Sequence, residues 1–475
     1  MIFRSKPIFA LFITLCLFPA VALAQDEQCL AIILAALAAS EQACSGTGSN
    51  QACFGSPALQ AEPQDGSVPF TFAQPGDIVN TRDLQTLRSS PLNAGNYGIS
   101  LLRVQNATLL VFGDVEIHNR VSAADAPPTV EVSPTGSINV RSGPSTEDAI
   151  IGSLDARQTV TANGRLGDNS WLRVALPDGT FGWLYAPLVT TTGDINTLDI
   201  MDTAGAPLDA RFEPMQSFTF QSGVGDAPCA GVPESGILLQ TPAEAASASL
   251  SINQVEIVLT GTAFLQAQSG GEMIVNGLEG VTRVSAAGVT QVMPAGSRVR
   301  IPIGGNRAAS GAPLEPEPYD GAALQALPVG NLEREVVVAP ALTPEQIRAA
   351  GIPTPGEWVT TYTVLTFDCV DGRSEVEERF RSNLLTLQVE REGAAVVLVG
   401  SHERDDPPFA TVMLARRGAG YYTAEATLEN TFGRQSQYQF TVYVLSPTRL
   451  EGVTVGMGGD CTTTGPFIAE LVTAA

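Results

Sequence analysis

The sequence is poor in the residues on which most hydrolases and nucleotide-binding proteins depend. Its 475 residues include only two histidines, His118 and His402, and Lys6 is the single lysine. Neither histidine has a serine or cysteine partner in the sequence context of a nucleophile, so histidine-dependent catalysis is not expected. The pair Gly304-Gly305 lacks the lysine that a phosphate-binding loop needs. We therefore predict a protein that is not an enzyme and that uses no cofactor.

Basic residues are scarce as well. The chain has 26 lysines and arginines against 49 aspartates and glutamates, a net charge of −23. Such a field repels nucleic acid and anionic membrane surfaces, so no nucleic-acid partner is expected. The alternative is that the acidity serves only solubility.

Long apolar runs are missing after the first residues. The start has the layout of a secretory signal peptide: basic Arg4 and Lys6, an apolar run at 8–17, and Ala22-Leu23-Ala24 before the cleavage point. Residues 1–24 are therefore predicted to be a signal peptide, and Cys16 is not placed for lipid attachment. The apolar run at 30–39 is shorter than the roughly 18 residues of a membrane span. We expect an extracytoplasmic protein with a buried N-terminal helix and no membrane span.

Six of the seven cysteines lie beyond the predicted signal peptide, and an even number in an exported chain favours disulfides. Cys369 and Cys461 bracket the last predicted domain and are the easiest pair to propose; the other four would then pair among themselves. No pair has the close spacing of a zinc site, and the adjacent Asp405 and Asp406 lack the spacing of a calcium-binding loop, so no metal is expected. The disulfide candidates are Cys29, Cys44, Cys53, Cys229, Cys369 and Cys461.

Residues 136–189 carry the most specific pattern in the chain. Apolar and polar residues alternate at 138–141 and again at 171–174, and turn-forming residues follow each run. Further strands are predicted around 150–154, around 159–162 and from Gly182. Five short strands in about 55 residues favour a small barrel, because closing a sheet removes its exposed edges.

This segment resembles the bacterial SH3 (SH3b) family. The resemblance lies in the runs INVRSGPS (138–145), IG (151–152), GDNSW (167–171), GWLY (182–185) and LV (188–189). It implies an extracytoplasmic module that binds cell-wall peptide or glycan, or that tethers a neighbouring domain. Residues 155–158 depart from the family, which more often has a glycine-bearing turn there.

Aromatic side chains of this segment are the candidate ligand-binding residues. Trp171, Trp183 and Tyr185 could line a shallow groove for a peptide or sugar, and Arg141 could pair with a carboxylate of wall peptide. In so small a barrel the same rings could instead be core, and Arg141 could be a surface residue that fixes a turn. The sequence leaves both alternatives open.

The remaining segments favour a mainly β, multidomain protein in which β-sandwich or barrel domains flank the SH3-like barrel. Residues 272–301 are somewhat similar to the FecR-type β-domain. The opening Gly356-Glu357-Trp358 is similar to that of lipocalin-like barrels, which implies a ligand cavity, although Trp358 could be plain core. The predicted domains are an N-terminal helix plus β-domain (25–122), the SH3b barrel (129–194), a FecR-like β-domain (197–303), a Pro/Ala/Gly-rich linker (304–355) and an antiparallel barrel or sandwich (356–475).

These patterns predict a secreted or cell-envelope protein that binds cell-wall peptide or glycan, or another envelope protein. Two alternatives remain. The chain could be a structural or adhesive matrix protein in which the barrel is only a spacer, or a cell-wall hydrolase with an unrecognised catalytic domain.

Overall fold

The computed structural model describes residues 18–64, 66, 70–93, 95–121, 129–166, 169–176, 180–199, 201, 212–229, 231–367, 375–401, 410–429, 435–458 and 461–474. Most of the secondary structure is β-strand, and the strands form several sheets. An N-terminal helix precedes them. The predicted mainly β, multidomain class is confirmed. His402, Asp405 and Asp406 lie outside the described residues.

The described residues contain two α-helices, α1 at Phe18–Ala43 and α2 at Pro344–Ala350. Helix α1 begins earlier than the predicted helix and includes the end of the predicted signal peptide. Helix α2 lies in the segment predicted to be a linker and has a capping box: the hydroxyl of Thr343 accepts from the backbone N–H of Gln346, and the Gln346 side chain accepts in return from the backbone N–H of Thr343. Within the described part of the chain, no helix has the length and apolar character for crossing a membrane. Short 3-10 helices lie at Thr81–Asp83, Ala186–Leu188, Ile195–Thr197, Val329–Asn331 and Arg391–Gly393.

The strands fall into four groups along the chain. The first group is β1 Gln51–Phe54, β2 Leu59–Pro63, β3 Ile78–Asn80, β4 Leu84–Ser89, β5 Ile99–Val104, β6 Ala107–Phe112 and β7 Val115–Asn119. The second is β8 Val130–Pro134, β9 Ile138–Arg141, β10 Ile150–Leu154, β11 Val160–Arg165, β12 Trp171–Ala175, β13 Phe181–Tyr185 and β14 Val189–Thr191. The third is β15 Ser217–Ser222, β16 Gly236–Gln240, β17 Ala248–Ile252, β18 Val255–Leu259, β19 Thr262–Ala267, β20 Glu272–Glu279, β21 Val281–Ala286, β22 Val289–Pro294, β23 Ser297–Pro302 and β24 Glu317–Pro318. The fourth is β25 Gly356–Phe367, β26 Glu375–Glu390, β27 Ala395–Ser401, β28 Ala410–Gly418, β29 Tyr421–Glu429, β30 Gln435–Ser446, β31 Arg449–Gly458 and β32 Cys461–Ala474.

The first and third groups form one β-sandwich. A nine-stranded sheet has the order β24-β23-β20-β19-β16-β6-β5-β1-β3, and an eight-stranded sheet has the order β2-β4-β7-β15-β17-β18-β21-β22. Strand β6 pairs with β16, and β7 pairs with β15. One apolar core from both groups lies between the sheets. The boundaries drawn from sequence, 25–122 and 197–303, therefore divide what is a single sandwich, because alternation identifies strands but not their distant partners.

The segment predicted to be a linker, 304–355, covers the outer face of the nine-stranded sheet. Its Tyr319, Leu324, Leu327 and Leu332 are buried together with Ile33 and Leu37 of α1. The side-chain amide of Gln240 donates to the backbone oxygen of Arg334 (2.9 Å) and accepts from its backbone N–H (3.0 Å). Because both faces of this sheet are covered, all of β6 and all of β16 are buried. The linker prediction was wrong because it rested on the proline-rich composition, whereas the few bulky residues of this segment complete a hydrophobic core.

Two disulfides lie in the sandwich, Cys29–Cys229 and Cys44–Cys53. They join the four cysteines that were expected to pair among themselves. The first ties α1 to the loop before β16, and the second ties the end of α1 to β1. Cys369 lies outside the described residues and the Cys461 side chain is not described, so their pairing stays a prediction.

The fourth group closes into an eight-stranded antiparallel barrel in which β25 pairs with both β26 and β32. Trp358 is fully buried there, and its indole N–H donates to the oxygen of Thr354 (3.1 Å). Trp358 is therefore a core residue of the barrel, which is one of the two alternatives that the sequence left open. The barrel docks on β22, the edge strand of the eight-stranded sheet: the Val292 N–H donates to the Ala419 oxygen (2.8 Å), and the Ala419 N–H donates to the Gln291 side chain (2.7 Å).

Candidate functional site

The second group of strands forms a seven-stranded sheet with the order β10-β9-β13-β12-β11-β8-β14. All five strands predicted from the sequence are present. Strands β8 and β14 are additional, and they pair with each other at one edge of the sheet. The sheet lies between β7 and β15, so it is an insertion in the sandwich.

Strand pairing brings the four predicted binding residues to one face of this sheet. Trp171 lies opposite Tyr185, and Trp183 lies opposite Arg141 on one side and Arg173 on the other. Residues directly opposite each other in a sheet project to the same side, as do residues two apart in a strand. We call the face that carries these five side chains the outer face. The other face is the apolar core of the domain, with Val140, Leu172 and Leu184 fully buried.

Both tryptophans of the outer face are covered by other parts of the chain. Trp171 is 8% exposed and Trp183 is 3% exposed, and they form a small cluster with Leu166 and Met201. The Met201 N–H donates to the oxygen of Arg165 (2.8 Å), which fixes the covering segment along β11. At Trp171 and Trp183 the structure therefore shows core packing, and their small exposed fractions leave little ring area for a ligand. Met201 lies beyond the predicted barrel boundary, and no sequence pattern connected it with the tryptophans.

Tyr185 is the exposed ring of this face. It is 43% exposed, and its centroid lies 5.4 Å from that of Trp171. The packing against a buried tryptophan holds the phenol ring in place while one side remains open to solvent. Of the three aromatic candidates, Tyr185 alone offers a ligand substantial area.

Arg141 ends β9 one row away from Tyr185 on the outer face. Its Nη1 donates to the backbone oxygen of Asp148 (2.7 Å), across the turn that contains Gly143. Among the residues that the structure describes, the side chain of Arg141 makes no other hydrogen bond and no ion pair. Diagonal neighbours in a sheet lie roughly 7–8 Å apart, a separation that one small ligand can span. The guanidinium is thus positioned by the turn and keeps donors for a second partner.

Arg173 is a buried cation that the sequence did not single out. Its guanidinium carbon lies 3.8 Å from the Phe181 ring centroid, and Nη1 donates to the Asn163 side chain (3.2 Å). Its charge also acts on Glu213, which lies shortly before β15. Burial raises the pKa of Glu213, while a hydrogen bond from Gln105 and the charge of Arg173 only partly oppose that rise. The charge of Arg173 therefore favours the ionised form of Glu213.

The sequence profile of the family described as "Bacterial SH3 domain" matches residues 136–190. The chain carries a bacterial SH3 domain. The match covers β9 to β13 and ends within β14, and it includes all four predicted binding residues. No curated protein matches the chain.

Solved structures with similar elements have low similarity scores. Transferrin binding protein B of Neisseria meningitidis aligns with 82% of this chain and 66% of its own, at 9% identity and a TM-score of 0.21. A protein of unknown function from Nostoc punctiforme aligns with 73% and 97%, at 10% identity and a TM-score of 0.18. A bovine odorant binding protein mutant aligns with 25% and 74%, at 19% identity and a TM-score of 0.17. These scores are too low to support a functional argument.

Proposed function

We propose that this protein is a non-enzymatic, secreted or envelope-associated binding protein whose bacterial SH3 domain recognises cell-wall peptide. The observation that carries the proposal is the pair formed by Tyr185 and Arg141 within the matched segment. One presents an exposed ring, and the other presents a guanidinium that is held by the Asp148 oxygen and keeps free donors.

Peptide recognition suits this pair better than glycan recognition. A guanidinium pairs with a carboxylate through two parallel hydrogen bonds, and wall peptides carry carboxylates. The adjacent phenol ring supplies contact area for the aliphatic part of a peptide at little entropic cost. Glycan recognition would rely on stacking, for which only Tyr185 is open.

An extracytoplasmic location is supported by the two disulfides and by the bacterial SH3 domain. Disulfides persist in oxidising compartments and are rare in the cytosol. The predicted signal peptide at 1–24 supports export independently of the fold.

The surroundings of His118 support a non-enzymatic role. Its Nε2 lies 2.6 Å from a carboxylate oxygen of Glu116, and that carboxylate also binds Arg88 and Arg307. Among the residues described, His118 has no serine or cysteine partner that it could activate. A hydrolase would clear a suspension of purified walls, whereas we expect the turbidity to stay constant.

Co-sedimentation of the full chain with purified sacculi tests the binding. We expect retention that Tyr185→Ala abolishes and that Tyr438→Ala, at a half-buried tyrosine of the C-terminal barrel, leaves unchanged. Equal retention of both variants would refute the role of the outer face. Concentration-dependent self-association without any wall ligand, seen by sedimentation velocity, would instead support the alternative of a matrix protein.

A further inference from the structure

A pocket of about 380 Å³ opens on the sandwich, and none of its lining residues belongs to the bacterial SH3 domain. It lies where β2, β4, β7 and β15, four neighbouring strands of the eight-stranded sheet, reach the β19–β20 hairpin. Its volume falls within the range of small-molecule sites. Val115 is the single apolar residue in its lining, and Val115 is itself buried. The pocket therefore does not suit a lipid or another apolar ligand.

Glu116 organises one wall of the pocket. One carboxylate oxygen accepts from Arg88 (3.0 Å) and contacts His118 (2.6 Å), and the other accepts from Arg307 (2.9 Å) and Gln221 (2.9 Å). Burial raises the pKa of Glu116, but hydrogen bonds from His118 and Arg88 and the charge of Arg307 hold it below its ordinary value. Glu116 is thus a fully engaged, ionised centre that fixes its neighbours and is not open to a ligand.

The charges at the pocket are net negative. Among the lining residues, Asp114 and Glu116 are the anions and Arg88 is the cation. Arg88 and Arg307 compensate Glu116, whereas burial and the nearby charges of Asp226 and Glu116 raise the pKa of Asp114. An anionic ligand would be repelled by Asp114 and Asp226, whereas a neutral ligand that donates hydroxyls to Asp114 meets no such repulsion.

The lining side chains that are not already hydrogen-bonded are of the kinds that bind hydroxyl groups. Asp114 is held by its backbone, because its N–H donates to the Ser235 hydroxyl (2.7 Å) and its oxygen accepts from the Gly223 N–H (3.0 Å). Its carboxylate makes no hydrogen bond within the described part of the chain. The same holds for the side chains of Gln60, Gln268 and Ser90, which also line the pocket. One carboxylate acceptor and two amides, each both donor and acceptor, match adjacent hydroxyls that donate and accept in turn.

We infer that this pocket binds a small neutral saccharide, with Asp114 accepting from hydroxyls and Gln60 and Gln268 completing the hydrogen bonds. The site belongs to the sandwich and does not depend on the ligand of the bacterial SH3 domain. A carboxylate contact strengthens a hydroxyl hydrogen bond, so Asp114 carries the largest share of the affinity.

The test is saturation-transfer NMR of the full chain with glucose, N-acetylglucosamine, cellobiose and chitobiose, and with glucose 6-phosphate as the charged counterpart. We expect at least one neutral sugar to bind in the millimolar range or tighter. Its affinity should fall about tenfold or more in Asp114→Asn and in Gln60→Ala. Both residues are exposed at the pocket, so these variants should keep the unfolding temperature of the wild type.

Two controls separate this site from the rest of the chain. Asp155→Asn makes the same charge change at an exposed position of the SH3 domain, and Tyr185→Ala removes the proposed wall contact; both should bind sugar normally. Absence of binding by all four neutral sugars would overturn the inference, as would tighter binding of glucose 6-phosphate than of glucose. Equal affinity of Asp114→Asn and wild type would also overturn it.

Discussion

The guanidinium of Arg334 donates to both carboxylate oxygens of Glu279, at 2.7 and 2.6 Å. Arg334 belongs to the segment that covers the nine-stranded sheet, and Glu279 ends β20. Hydrogen bonds from Arg334 hold the pKa of Glu279 below its ordinary value of 4.5, although burial opposes them. The pair therefore fastens the covering segment only while Glu279 is ionised.

A pH dependence follows from this pair. A carboxyl whose pKa is lower in the folded state contributes stability above its unfolded pKa, and that contribution is lost as the pH falls through the folded pKa. Glu279→Gln should lose up to about 1 kcal/mol of unfolding free energy at pH 7, because the pair is partly exposed, and less at pH 3. Urea unfolding at both pH values measures the difference. Glu470→Gln, at a more exposed single contact with Arg449, is the control. An identical loss at pH 7 and pH 3 would contradict this role.

The two disulfides should stabilise the sandwich unequally. Cys29–Cys229 spans 200 residues and Cys44–Cys53 spans 9. Because closing a longer loop removes more entropy from the unfolded chain, the paired serine substitutions should cost about 5 kcal/mol for the first and about 3 kcal/mol for the second. Thermal unfolding of the two double variants gives the order. A larger loss of stability in Cys44→Ser/Cys53→Ser than in Cys29→Ser/Cys229→Ser would show that loop length does not determine how much each disulfide stabilises the protein.

Substitutions of Trp183 and Tyr185 should affect the stability of the protein to different extents, because one ring is buried and the other is exposed. Trp183 is buried beside Met201, so Trp183→Ala should cost about 3–5 kcal/mol of unfolding free energy. Tyr185 is exposed, so Tyr185→Ala should change the stability by less than about 1 kcal/mol. Urea unfolding monitored by circular dichroism measures both. A small loss for Trp183→Ala would mean that Met201 does not cover this ring in solution.

The docking of the C-terminal barrel depends on a glycine. A Cβ atom at Gly418 would lie 2.0 Å from the backbone oxygen of Thr290, whereas Gly305 has nothing within 4 Å. Gly418→Ala should therefore displace the barrel from β22 and raise the radius of gyration measured by small-angle scattering. Gly305→Ala should leave it unchanged. An unaltered radius of gyration for Gly418→Ala would show that Gly418 is not packed tightly against Thr290 of β22.

The sequence predicted the elements of the SH3 domain better than their surroundings. Alternation at 138–141 and 171–174 identified strands, since side chains of a half-buried strand change sides at every residue. It did not identify Met201 as the residue that covers Trp183, because Met201 lies outside the strands and is part of no alternating pattern. Three of the four partners of Glu116 could not be predicted either, because Arg88, Gln221 and Arg307 come from two other strands and a loop that are distant in sequence. The family resemblance likewise could not show that 25–122 and 197–303 complete one sandwich around the insertion.

The most direct test of the proposed function is the binding isotherm of the full chain on purified sacculi, beside the double variant Arg141→Ala/Tyr185→Ala. Arg141 and Tyr185 supply the free donors and the exposed ring of the outer face, so the double variant should lose saturable binding while keeping the wild-type unfolding temperature. Saturable binding of unchanged affinity by the double variant would contradict recognition through this face.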